Sequence, residues 1–369
     1  MRRIRPSRCG AILALLLGAL VSTPALSHSD LTVVNWGGAA ARAHMLALVR
    51  PFEKMTGLTV NMEHYGGELD AVRNQVEAAN VKWDVVDFEY SDLIKLCDEG
   101  YLEPIDHQTL PAGDDGVPAS DDFIDGALRD CAVGSIVWAT VYAYDKTAFP
   151  DDPPSTIADF FDTKRFPGKR GLRQDPRGAL EWALMADGVP ADDVYATLAE
   201  PAGVDRAFAV LDGIKNEIVW WSGGPQPARL LNEGEVTMSM AWNGRLFRPM
   251  TEWGQPIEIV WDGQLWEIEL WGIVKGTRHL ETALQFVRFA TDTKRLADSA
   301  RYISYGPVRN SSGALVPEEM RPHLPTTPNN MKNALRYDSV WWAEHLEDLK
   351  IRFESWLAET GGATEKARF

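Results

Sequence analysis

The strongest constraint on what this chain can fold into is an alternation of strand-like and helix-like segments that begins at residue 31. The stretch "LTVVNWGGAAARAHMLALVRPFEKMTG" (31–57) passes from a β-branched run through a glycine pair into Met45, Leu46, Val49 and Phe52 at helical spacing, and stops at Gly57. A strand pattern at 58–66, a helix pattern at 68–80 and a strand pattern in "WDVVDFEYS" (83–91) follow. Parallel neighbours need a crossover, so this order predicts a parallel α/β arrangement. Ligands of such sheets gather beyond the carboxyl ends of the strands, where "NWGG" and "DFEYS" fall. At 369 residues the chain exceeds one hydrophobic core, so two lobes are expected.

The remainder fits that frame. "PAGDDGVPASDD" (111–122) reads as a surface loop, and "CAVGSIVWATVYAYDKTAF" (131–149) as a strand long enough to cross between lobes. A helix capped by Ser155 or Thr156, the turn "FPGKR" and helices near 177–188, 191–199 and 203–216 come next. "WEIELWGIVKGT" (266–277) is strand-like, and 280–291 and 338–357 have helical spacing. The first 27 residues have the form of a cleaved export signal: Arg2, Arg3, Arg5 and Arg8, a short apolar run, then Ala25 and Ser27 at the small positions before His28. Cys9 lies ahead of that apolar run, away from where a lipid-anchored cysteine would sit.

The formal charge is −16, and loss of four arginines with the signal would leave about −20. That balance opposes nucleic-acid and anionic-membrane binding and suits a cationic ligand. Cys97 and Cys131 remain after cleavage, and in an exported protein an even pair predicts a disulfide, with two buried thiols as the alternative. Their spacing makes no zinc site, and no metal or cofactor is expected.

No GxSxG, HExxH, phosphate loop or strand-following GxGxxG is present, so no catalytic residues are assigned, although a glycosidase-type carboxylate pair stays open. Aromatic residues instead stand beside turn breakers at strand ends: Trp36 before Gly37, Tyr90 after Glu89, Trp221 before Ser222, Trp242 before Asn243 and Trp271 before Gly272. Acids fall nearby at Asp87, Glu89, Asp175, Glu267 and Glu269. An aromatic face attracts a cation and a carboxylate gives it a charge-assisted hydrogen bond, so together they describe a box for an amine or guanidine. Core packing is the competing reading for each tryptophan, Trp242 of "MSMAWNGR" included.

The segments "NWGG", "WDVVDFEYSDLIKLCDEGYLEPID", "DFFDTKRFPGKRGL", "LLNEGEVTMSMAWNG", "LWGIVKGT" and "YGPVRN" occur in the order seen in periplasmic solute-binding proteins of bacterial ABC importers, and the chain most resembles the spermidine/putrescine-binding family. The resemblance implies a two-lobed α/β fold of the type II periplasmic binding proteins, with two crossing hinge strands. Lobe one would hold 28–140 and 272–312, lobe two 141–271 and 313–362, and 363–369 would form a flexible tail. It implies a periplasmic, non-enzymatic, monomeric receptor for an amine or polyamine, delivering to an inner-membrane ABC permease. A neutral solute such as a sugar, or a secreted glycosidase or lyase, are the alternatives. Trp36 matches the aromatic after the first strand, Trp242 the tryptophan stacked on the ligand, and Asp175 and Glu269 the acids holding the two amino ends. Gly37, Glu89, Tyr90, Trp221, Trp271 and Tyr305 complete the expected site, while Ser91, Gly178 and Glu267 depart from the family's pattern.

Overall fold

The computed structural model describes residue 1 and residues 29–359, so the signal segment, the reading of Cys9 and the tail lie outside the described residues. Its ten strands are β1 (Leu31–Asn35), β2 (Val60–His64), β3 (Val85–Glu89), β4 (Leu128–Arg129), β5 (Ala132–Asp145), β6 (Arg170–Arg173), β7 (Ile218–Trp221), β8 (Met238–Trp242), β9 (Ile257–Ile273) and β10 (Leu335–Arg336). The main sheet runs β2-β1-β3-β9-β5-β8-β6-β7, with β4 beside β5 and β10 beside β9. The outer strands are parallel, as the alternation predicts, with β1 beside β2 and β3, and β6 beside β7 and β8. The centre is antiparallel: β9 runs against β3 and β5, and β5 against β8.

Two cores lie on this sheet. One gathers Leu31, Val33, Phe52, Val85, Phe88, Val137, Ile268, Trp271 and Phe286. The other gathers Ala139, Tyr142, Phe160, Leu172, Trp182, Met240, Leu265 and Trp342. The changeover falls between Val137 and Ala139 on β5 and between Leu265 and Ile268 on β9. These two long strands, 14 and 17 residues, are paired through the changeover, Ile136 opposite Glu269 and Trp138 opposite Glu267. Both are buried along nearly their whole length, as expected of strands covered on both faces.

Local chemistry accounts for several boundaries. Gly57 ends the helix Arg50–Thr56 at φ 76°, a conformation open to glycine at little cost. Thr156, rather than Ser155, caps Ile157–Phe161 in a reciprocal box with Asp159. Two expectations need correction. The strand expected at 266–277 runs instead over Ile257–Ile273, its ladder continuing past a register irregularity opposite Thr140–Tyr142 where Gly263 takes φ 75°. Asn243 and Gly244 do not form a turn; they open the helix Asn243–Thr251. Asn243 is buried, accepting from the Ala139 N–H and donating to the Ser304 carbonyl. Cys97 and Cys131 are bonded, with Cα atoms 6.0 Å apart. Among the described residues no helix is long and apolar enough to cross a membrane.

Candidate functional site

A cavity of about 450 Å³ opens between the two cores, within the range of small-molecule sites. The strand ends and the segments just after them build it. Trp36 follows β1, Tyr65 follows β2, Glu89 ends β3, and Asp92 lies in the first turn of the helix Tyr90–Asp98. Trp138 and Glu269 come from the paired hinge strands, and Tyr305 from the loop beyond. The facing wall carries Arg173 at the end of β6, Arg177 just beyond, Trp242 at the end of β8, and Arg245 one turn into the following helix. Leu346 and Lys350 reach in from the C-terminal helix Ser339–Glu359.

The acids share one face of the sheet. Glu89 pairs with Glu269 across β3 and β9, Asp87 lies two residues back on β3, and Glu267 two residues back on β9, so the alternation of the pleat puts all four on the same side. Burial pushes the carboxyl of Glu267 up to about 8, reinforced by Glu89. Asp92 is pushed up to about 6 by burial and by Glu89. Glu269 lies well above the ordinary carboxylate range because burial, Asp87, Glu89 and Glu267 all disfavour its charge.

The opposite wall is cationic. Arg177 is clamped by Asp175 in a fork of two 2.9 Å bonds, and Arg173 lies 4.0 Å from the same carboxylate. Arg173 also sits over the Trp242 ring, 5.2 Å from its centroid. Arg245 Nε is buried with no hydrogen-bond partner among the described residues, and so are Trp36 Nε1 and Trp138 Nε1. Unmatched indoles also occur in the core, at Trp221 and Trp271, so it is the charged donor of Arg245 that a ligand's acceptor oxygen would match.

The structure places the expected residues unevenly. Trp36, Glu89, Trp242, Glu269 and Tyr305 line the cavity. Trp36 packs on Tyr65 with ring centroids 4.8 Å apart, and Trp242 is half-buried with its edge contacts on Trp138 and Trp221. Asp175 does not line the cavity. Its burial alone would raise its pKa, but the hydrogen bonds from Arg177 and the charges of Arg177 and Arg173 outweigh this and hold it low, so the carboxylate is already matched. Trp221 and Trp271 are core residues, the latter fully buried against His44 and Phe286. Tyr90 lines a separate cavity with Glu267, Arg129 and Tyr337. Gly37 stands behind the cavity wall at φ 70°, its N–H held by Asn35. Glu267 is tied by the Ser339 hydroxyl.

Sequence reasoning missed Arg173, Arg177 and Arg245, as well as Tyr65, Asp92 and Trp138. A signal was available for the arginines: two flank Asp175 in "LRQDPRGALEW", and Arg245 closes "MSMAWNGR". A whole-chain charge of −16 gives no hint of a local cationic wall. Among the described residues no group of three or more His, Cys, Asp and Glu is arranged to hold a metal ion.

Residues 47–326 match the family of bacterial extracellular solute-binding proteins. A gamma-aminobutyric acid-binding protein of Pseudomonas aeruginosa is 41% identical over 344 residues, spanning 93% of this chain and 95% of that protein. A solved GABA receptor structure superposes with a TM-score of 0.76 at 30% identity, covering 92% of this chain and 99% of that one. A spermidine/putrescine-binding periplasmic protein of Salmonella typhimurium is 23% identical, over 70% of this chain and 72% of that protein.

Proposed function

Because the chain belongs to the bacterial extracellular solute-binding proteins, we propose that it is the periplasmic receptor of an ABC importer for a small zwitterion, an ω-amino acid of the γ-aminobutyrate class. The observation that carries this reading is the pairing of opposite walls around one cavity: Glu89, Asp92 and Glu269 on one side, Arg173, Arg177 and Arg245 on the other. An ammonium gains charge-assisted hydrogen bonds on the acid wall, with the faces of Trp36 and Tyr65 beside it. A carboxylate gains the arginine wall and brings an acceptor for the unmatched Nε of Arg245.

The polyamine expectation keeps its amine half in this reading. A diamine would place its second cation among the three arginines. A neutral sugar would leave both walls without counter-charge. The test is calorimetry at pH 7.5 with γ-aminobutyrate, butyrate, butylamine and putrescine. γ-Aminobutyrate is expected to bind at least about a hundredfold tighter than any of the other three, since each missing charged group forfeits several kcal/mol of buried pairing. Putrescine binding as tightly as γ-aminobutyrate would overturn the reading in favour of a polyamine receptor.

A further inference from the structure

Behind Glu269 lies a second carboxylate that the cavity does not reach. Asp87 is fully buried on β3, and its Oδ1 accepts from the Ser135 hydroxyl at 2.7 Å. Its other oxygen, Oδ2, and the Oε2 of Glu269 are both sealed from solvent, and neither meets a donor among the described residues. The two side chains stand on one face of the paired strands, Asp87 on the diagonal from Glu269. Two buried carboxylates side by side can match their free oxygens only through a proton held between them, because each otherwise offers acceptors alone.

We propose that Asp87 is a positioning residue for the ligand's ammonium: it holds one proton against Glu269, so that the buried pair turns a single negative charge toward the cleft. This inference rests on the amino-acid reading above and adds what sets the charge of the amine end. Two ionised carboxylates at this depth would repel each other and lose their hydration, whereas the shared proton leaves one charge to match one ammonium.

The surroundings agree. Glu89 on β3 and Glu267 on β9 bear on the pair with the same sign. Asp92 adds a third carboxylate from the neighbouring helix. Across the cavity stand Arg173, Arg177, Lys350 and Arg245, and Arg245 acts on Tyr305 together with the pair. Tyr65 donates its hydroxyl to the Asp87 backbone carbonyl at 3.0 Å and stays protonated, its pKa raised by burial and by these acids. His44, packed at a tilt against Trp271, the residue opposite Asp87, is held neutral by burial, which lowers its pKa to about 4. Burial also raises both members of the pair, so a second proton adds well above the ordinary carboxylate range and erases the charge. Amine affinity therefore falls as pH drops toward 5.5.

Asparagine at 87 satisfies the same bonds, its Nδ2 donating to Glu269 and its Oδ1 accepting from Ser135, and it cannot titrate. With γ-aminobutyrate as the probe, wild-type affinity is expected to drop about tenfold or more between pH 8 and 5.5, while Asp87→Asn shows a clearly smaller drop over the same range, the remainder belonging to Asp92. Parallel profiles would overturn the proposal, because a purely structural Asp87 leaves the pH dependence in place. A second measurement needs neither the ligand nor a stable Asp87 variant: carboxyl-carbon NMR titration of the free wild-type protein, with the Glu269 resonance identified by its loss in Glu269→Gln. A carboxyl that remains protonated at pH 7 and changes its titration in that variant supports the shared proton. Full ionisation of all carboxyls by pH 6 sinks it. If γ-aminobutyrate binds at no pH while the spectrum shows the retained proton, the ligand reading falls and the shared proton stands.

Discussion

The two walls of the cleft are held by different physics. The acid wall is rooted in paired strands: Glu89 and Glu269 face each other in register, Glu89 half-buried and Glu269 held at depth with little freedom to be solvated. The arginine wall stands where strands have ended, on the segment after β6 and the first turns of the helix Asn243–Thr251. There one arginine is locked by a neighbouring carboxylate while Arg245 holds a buried Nε without an acceptor. One wall thus stores its tension as raised carboxylate pKa values, the other as unmatched donors. Net charge, −16 over the chain, says nothing about this local balance.

Charge removal from either wall should produce the largest effect. Glu269→Gln and Arg245→Gln are each expected to cost γ-aminobutyrate binding about 2 to 5 kcal/mol, because each leaves a ligand charge buried without its partner. Calorimetry on the pair of variants distinguishes two working walls from one: unchanged affinity in Arg245→Gln would reduce the arginine wall to scaffolding. The same substitution should improve putrescine binding, a reversal that no loss of folding can mimic.

A smaller effect separates the lobes themselves. Cys97 ends the helix whose first turn carries Asp92, and its bond to Cys131 ties that helix to the residue before β5. Replacing both by serine should lower unfolding free energy by about 2 to 4 kcal/mol, read by urea titration, through the 34-residue separation it closes. The acid-wall lobe should melt first in that variant, while the native protein still binds. Equal weakening of both lobes would show that they unfold as one unit.

Smallest is the aromatic contribution. Trp242 is half-buried and covered on one side by Arg173. Trp242→Ala is expected to weaken ligand binding by about 1 to 3 kcal/mol through lost stacking and a freed Arg173. Loss of melting temperature with normal binding by the remaining folded protein would assign Trp242 to the core instead.

The outer parallel strands, the long crossing strand, the helix ends at Gly57 and Thr156 and the cysteine pair were legible because their signals are local: periodicity, capping residues, an even count in an exported chain. Glu89, Trp36 and Trp242 were legible as residues at strand ends, where α/β sheets place ligands, and Glu269 through the resemblance. The misreadings share a cause. Asp175 reads as a free acid in sequence, but only folding brings Arg177 round to clamp it. Trp271 and Trp221 look like Trp36 and Trp242 beside their turn breakers, yet which face of a strand meets a cavity depends on what packs above it.

By itself, then, the order of residues determined the α/β alternation, the two-lobed division of a chain this long, and a set of strand-end aromatics and acids, since each follows from chemistry within a few residues. Tertiary structure alone decided which charges confront one another. The arginines come from one core and the acids from the other. Their opposition across the cleft, and the proton that burial and proximity force between Asp87 and Glu269, depend on distances and desolvation that no local pattern encodes.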